Sequence, residues 1–122
     1  MTSKFDIEVR LIQFACVIID IVEVLPTNMA GNHLGSQLIR SGTSPALNYG
    51  EAQGAESRKD FIHKMKIALK ELRETYCCLK IIHEKKWLGQ EKMEELLDEN
   101  NQLIAIFVKS IETAQRNIAN KN

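Results

Sequence analysis

Apolar residues recur along this chain in steps of three and four. The opening stretch places Ile7, Leu11, Phe14, Ile18, Ile21 and Leu25 in strict alternation of the two steps, then stops at Pro26 and the loop Thr27-Asn28. Phe61, Met65, Ala68, Leu72, Thr75, Leu79 and Ile82 repeat the pattern up to Trp87-Leu88-Gly89. Met93, Leu97, Asn100, Ile104, Phe107, Ile111, Ala114 and Ile118 repeat it again. Repeats of seven residues mark a helix seam packed at a shallow crossing angle, as in bundles and coiled coils. They predict helices over approximately 5–25, 58–86 and 90–118. Strand-type alternation is absent, and no internal repeat is visible.

The segment between the first two patterns resists the same reading. It carries Gly35, Gly42, Gly50 and Gly54, with Pro45 in its middle, and propensity alone makes it a loop. Two features make it a helix over 31–55. A structureless loop of that length is out of place in so short a chain. Gly42, Ala46, Gly50 and Gly54 also fall at intervals of four, a ridge of small residues that lets a neighbouring backbone approach closely. Pro45 cannot donate to the carbonyl of Ser41, so a kink is expected there, with Ser or Thr hydroxyls and water covering the freed carbonyl. Short connections make consecutive helices antiparallel. The prediction is one all-α domain over 1–122, an antiparallel up-down-up-down four-helix bundle. The polar tail Asn117 to Asn122 is expected to fray.

Composition fits that picture: 122 residues, 44% hydrophobic, 26% charged and 6% aromatic is enough chain to bury a core without disulfides or a metal. Formal net charge is zero, so the whole molecule exerts no long-range pull on nucleic acid or an anionic membrane. Leu11 to Leu25 is the most apolar stretch, but Gln13, Asp20 and Glu23 interrupt it and it is too short to span a bilayer. With no leader-type segment before the first helix, the expectation is a soluble, cytoplasmic protein with no membrane partner. Cys16, Cys77 and Cys78 lack CxxC spacing and read as reduced, buried thiols.

Charge is unevenly spread. Residues 58–86 hold nine Lys/Arg against four Asp/Glu, residues 1–57 three against six, and residues 87–122 four against six. Lys59, His63, Lys66, Lys70, Arg73 and Lys80 lie opposite the seam of the third helix, a basic stripe able to meet a phosphate backbone or an acidic partner. Its ordinary reading is a solvated face paired with Glu71 and Glu74, and it lacks aromatics on which bases could stack. A second polar stripe, Gln37, Arg40, Ser44, Asn48 and Glu51, runs along the second helix. If it faces inward its members must satisfy one another, which points to a structural network.

The first helix is apolar nearly all round. Ile12, Cys16 and Ile19, with Val17, Val22 and Val24 beside them, form a stripe outside the seam. A surface helix of a monomer confines its apolar residues to one face, and four helices offer no central position. The stripe therefore marks a homo-oligomer interface.

Catalytic, cofactor and metal sites are not expected. No nucleophile–base pair and no small-molecule substrate is evident. A di-iron bundle needs inward Glu residues and two Glu-x-x-His pairs, whereas only Asp60-x-x-His63 has similar spacing, with His63 in the outward stripe. Asn100, the one strongly polar seam residue of the fourth helix, reads as a register pin.

The run Ser36-Gln37-Leu38-Ile39-Arg40-Ser41-Gly42-Thr43-Ser44-Pro45-Ala46-Leu47-Asn48-Tyr49-Gly50-Glu51 resembles the signature helix of the bacterial "four helix bundle protein" family. That family is also known as the intervening-sequence or ribosomal-protein-like family of large-subunit rRNA. Ser57-Arg58-Lys59-Asp60-Phe61 and Ile67-Ala68-Leu69-Lys70-Glu71-Leu72-Arg73-Glu74-Thr75 resemble its third helix. The resemblance implies an antiparallel four-helix bundle assembling as a ring-like homopentamer. Some members are encoded within intervening sequences of rRNA genes. A related branch is the accessory protein of diversity-generating retroelements, contacting reverse transcriptase and nucleic acid. By position, Arg40, Asn48 and Glu51 match the family's recurrent polar residues. The proline falls one position early here, and Ala52 stands where a glycine usually follows the glutamate. The expectation is a non-enzymatic, cofactor-free scaffold or interaction module, with binding of RNA or a nucleoprotein through the basic stripe as the alternative.

Overall fold

A computed structural model describes residues 4–120 as four helices: α1 (Lys4–Glu23), α2 (Met29–Gln53), α3 (Arg58–Lys85) and α4 (Gln90–Ala119). Among the described residues there is no strand. Residues 1–3, Lys121 and Asn122 lie outside them, so part of the polar tail is not described, and the described part is helical as far as Ala119.

Local chemistry sets the helix limits. Pro26 disfavours helical geometry at Leu25, and α1 closes at Glu23, two residues before the expected end. The Asn28 side chain accepts from the Gly31 N–H at 2.8 Å and caps α2, which therefore starts two residues early. Ser57 caps α3 by accepting from the Asp60 N–H at 3.1 Å. At the far end of α3, Lys86 takes a left-handed conformation at φ 57°, the position usually given to glycine.

The three periodic helices bury their seams as read. Ile7, Leu11, Phe14, Ile18, Ile21 and Leu25 are all buried in α1. Two shifts occur elsewhere. Ile62 rather than Phe61 opens the buried row of α3, and Leu96 and Leu103 are buried in α4 while Ile104, Ala114 and Ile118 are half-buried. At about 1.5 Å per residue α4 is roughly 45 Å long against 30 Å for α1, so its last turns outrun the layer that would cover them.

The glycine-rich α2 runs unbroken through Pro45, which is itself buried; the expected kink does not interrupt the helix. The Thr43 hydroxyl donates to the Ile39 carbonyl, four residues back. The small-residue ridge is only partly as expected. A Cβ on Gly42 would lie 2.8 Å from both γ-carbons of Ile18, so this glycine does admit α1 closely. Gly50 faces open space, and Gly54 is the C-cap. The buried glycines instead run through Gly31, against the Pro26 carbonyl of the preceding loop, and Gly35 and Gly42, against Val22 and Ile18 of α1. Their phase differs because the close approach follows the buried face of α2 rather than a four-residue row drawn on one helix.

Helices pack in sequence order around the core. α2 lies between α1 and α3, α3 lies between α2 and α4, and the backbones of α1 and α3 do not approach closely. The square is not closed evenly: α1 barely meets α4. Tyr49 and Phe107, with ring centroids 5.9 Å apart, join α2 to α4 across the middle of the core. Among the described residues three polar ones are fully buried: Ser41, Thr75 and Asn100. The Thr75 hydroxyl donates to the Glu71 carbonyl at 2.8 Å and shares a hydroxyl–hydroxyl hydrogen bond with Ser41 at 2.9 Å. Asn100 Nδ2 donates to the Leu72 carbonyl at 3.1 Å, tying α4 to α3 in one register, while its Oδ1 has no partner.

Candidate functional site

The outer face of α1 carries apolar side chains that its own bundle leaves uncovered. Ile12 is 50% exposed, Ile19 41% and Val9 36%, with Cys16 exposed between them. Their spacing of three, four and three repeats the seam on the opposite side of the helix, so α1 presents two apolar edges. Val9 extends the stripe by one step and was legible from the same period. Val17 and Val22 do not belong to it: both are half-buried, Val17 on the side facing α4 and Val22 against Gly35 of α2. Val24 is exposed beyond the helix end.

Between α1 and α4 the loose contact leaves an open cleft of about 300 Å³, lined by Gln13, Phe14, Val17, Lys92, Glu95, Leu96 and Glu99. Arg10 spans its edge. Its Nε and Nη2 donate to the two oxygens of Glu99 at 3.0 and 2.6 Å, and Nη2 also donates to Gln102 at 2.9 Å. That bidentate geometry is the strong form of the pair and keeps the guanidinium charged, its pKa raised first by the hydrogen bond to Glu99. Nothing in one helix's period signals this cleft, because it depends on how far α4 stands from α1.

The basic stripe of α3 is outward, as its phase required. Lys59, His63, Lys66, Lys70, Arg73 and Lys80 are all exposed. None takes part in an ion pair among the described residues. Glu71 and Glu74, the expected partners, are held elsewhere: Arg40 of α2 donates to Glu71 at 2.6 Å, to Gln37 at 3.0 Å and to Glu74. Both glutamates lie on the flank of α3 that meets α2, so they neutralise a residue across the helix interface instead of their own helix's outer face.

The second polar stripe is therefore neither interior nor a reactive cluster. Arg40 and Glu51 are exposed, while Gln37, Ser44 and Asn48 are half-buried, all along the edge between α2 and α3. Lys64 of α3 donates to Glu51 at 2.8 Å, a second tie across the same edge. The Arg40 pKa is raised by the charges of Glu71 and Glu74, against opposing desolvation.

Cysteine burial differs from expectation: Cys16 and Cys77 are exposed, and only Cys78 is buried. Burial, reinforced by the charge of Glu74, pushes the Cys78 thiol up. His83 is shielded at both ring nitrogens without a hydrogen-bond partner, the Glu94 carboxylate lying 3.8 Å away. Among the described residues no group of three or more His, Cys, Asp or Glu is arranged to hold a metal ion. No described helix is long and apolar enough to cross a membrane. The arrangement offers surfaces for docking, one apolar and one basic, on opposite corners of the bundle.

Residues 4–109 match the family model described as 23S rRNA-intervening sequence protein. A solved structure from Bacteroides thetaiotaomicron, a protein with unknown function from the S23 ribosomal protein family, superposes with a TM-score of 0.82. It is 28% identical, with 89% of this chain and 97% of that one covered. Comparison with curated proteins gave no match.

Proposed function

This chain belongs to the 23S rRNA-intervening sequence protein family, and within that family we propose that it is a non-enzymatic, self-assembling helical bundle serving as a scaffold or interaction module in the cytoplasm. The observation that carries the reading is the outer stripe of α1, where Val9, Ile12, Cys16 and Ile19 stand exposed in heptad-like spacing. Uncovered aliphatics at a regular helical period, on a helix whose other edge already fills the core, are the mark of a subunit interface. The family resemblance adds a size, a ring-like homopentamer. Sedimentation of the full chain at micromolar concentration tests it: an assembly that Ile12→Glu with Ile19→Glu dissociates is expected, and a monomer mass for the parent chain overturns it.

A second reading draws on a separate observation, the six exposed basic-stripe residues of α3, which have no ion-pair partner among the described residues. On this reading the chain binds RNA or a nucleoprotein through that face. Anisotropy with a labelled rRNA fragment is expected to give affinity that falls as salt rises. Changing Lys66, Lys70 and Arg73 to Glu is expected to abolish it. Affinity indifferent to these substitutions removes the reading.

A further inference from the structure

We propose which two faces form the subunit contact: the apolar, acid-flanked outer face of α1 in one copy seats on the basic outer face of α3 in the next. This rests on the assembly reading above and supplies the second half of its interface. The α1 stripe by itself does not say what covers it; the charges around it do. Glu8, Asp20 and Glu23 are exposed on α1, while Arg10 is turned aside onto Glu99 and Gln102 of α4. Pairing two α1 stripes antiparallel, with Val9 opposite Ile19, sets Glu8 against Asp20 at both ends. Like charges facing each other across a contact oppose it. A symmetric α1–α1 dimer is therefore disfavoured by the same helix that supplies its apolar surface.

The outer face of α3 has the complementary character. Lys59, His63, Lys66, Lys70, Arg73, Cys77 and Lys80 follow one another in steps of four and three, all exposed. This is the same repeat as the α1 stripe, so the two faces can run alongside each other for several turns. Lysine and arginine stems are apolar for three or four carbons and lie over aliphatic side chains while their heads reach outward. Those heads then meet Glu8, Asp20 and Glu23, as flanking charges do beside a coiled-coil seam. Glu71 and Glu74, which would otherwise neutralise the α3 face, are occupied by Arg40.

Placement makes the contact intermolecular. α1 and α3 sit at diagonal corners, without close backbone approach within one chain, so their outer faces look in opposite directions. Joining one to the other is head-to-tail, which closes into a ring or continues as a filament according to the rotation between copies. Nucleic acid on α3 is the competing occupant, and an assembly of this kind covers that face.

Charge reversal on the full chain tests the inference. One variant carries Glu8→Lys, Asp20→Lys and Glu23→Lys; the other carries Lys66→Glu, Lys70→Glu and Arg73→Glu. Each alone is expected to sediment as a monomer with its helical circular dichroism intact. A single chain carrying all six substitutions is expected to reassemble, because its basic α1 face then suits the acidic α3 face of the next copy in a ring of any size. Alkylation of the unmutated chain gives an independent reading that needs no variant: Cys16 on α1 and Cys77 on α3 are both expected to be protected on assembly. A monomeric parent chain overturns the assembly reading and this inference with it. An assembled parent whose charge-reversed variants stay assembled, or whose folded six-substitution chain does not reassemble, leaves assembly standing and overturns the α1–α3 contact. Protection of Cys16 alone does the same, and frees α3 for another partner.

Discussion

Alanine at Gly42 and alanine at Gly50 add the same methyl group to the same helix, two turns apart, and should have opposite effects. Alanine is favoured over glycine inside a helix by about 1 kcal/mol. At Gly50 the added Cβ meets nothing within 4 Å, so that gain is undiminished and Gly50→Ala is expected to stabilise the chain by about 0.5–1 kcal/mol. At Gly42 the Cβ would sit 2.8 Å from Cγ1 and Cγ2 of Ile18 and 3.1 Å from its Cβ. These atoms are at the root of a β-branched side chain held to one helical rotamer, so rotation cannot carry them away. Overpacking of this kind costs about 1–3 kcal/mol. Set against the propensity gain, Gly42→Ala is expected to destabilise by up to about 2 kcal/mol, and the two variants to differ by the overpacking cost, about 1–3 kcal/mol. With a urea m-value of about 1.5–2 kcal/mol/M, that separates their midpoints by roughly 0.5–2 M. Denaturation at one fixed protein concentration measures it, since assembly makes stability concentration-dependent. Ile18→Ala removes both clashing carbons, so Gly42→Ala in that background is expected to become neutral or stabilising. A Gly42→Ala chain at least as stable as the parent, or one whose effect Ile18→Ala leaves unchanged, refutes the close approach of α1 and α2.

Three further outcomes follow from other sites. Asn100 gives one hydrogen bond to Leu72 and leaves Oδ1 buried without a partner; Asn100→Leu gives up about 1 kcal/mol of the former but removes a desolvation cost of about 1–3 kcal/mol. Its denaturation midpoint should match or exceed the parent's. Lys86→Gly relieves a side chain held at φ 57° and is expected to raise stability by about 0.5–1 kcal/mol, read from the urea midpoint. At mildly alkaline pH, a thiol reagent should modify Cys16 and Cys77 quickly in dissociated chains and Cys78 only on unfolding. Because burial, then Glu74, raises the Cys78 thiol, the unfolded chain loses that proton first as pH climbs past about 8.5. Stability should therefore decline above that pH, and Cys78→Ala should flatten the decline.

The periodic helices were legible because a helical seam is written within one segment: the residues that alternate by three and four in α1 and α3 share a face whatever they pack against. The same logic put the α3 cations outward and the second apolar edge on α1, and no neighbouring helix was needed for either. Even the improbable α2 was visible as a helix, since a chain this short has little room for a long structureless loop. The family resemblance agreed on the four helices.

Partners across helices were a different matter, because they depend on the order of the helices around the core and on their separations. Glu71 and Glu74 are spaced to serve their own helix, but the flank of α3 that meets α2 gives them to Arg40. Gly42 and Gly50 are equivalent on a helical wheel drawn for a small-residue ridge. Only the position of Ile18 makes one indispensable and leaves the other in open space. Cys78 is buried and its neighbour Cys77 is not, because a turn of about 100° between them moves from a packed flank to solvent. The cleft beside Phe14 and Val17 exists because α4 stands away from α1. A sequence fixes the phase of each face; what that face meets is decided by distances between segments far apart in the chain.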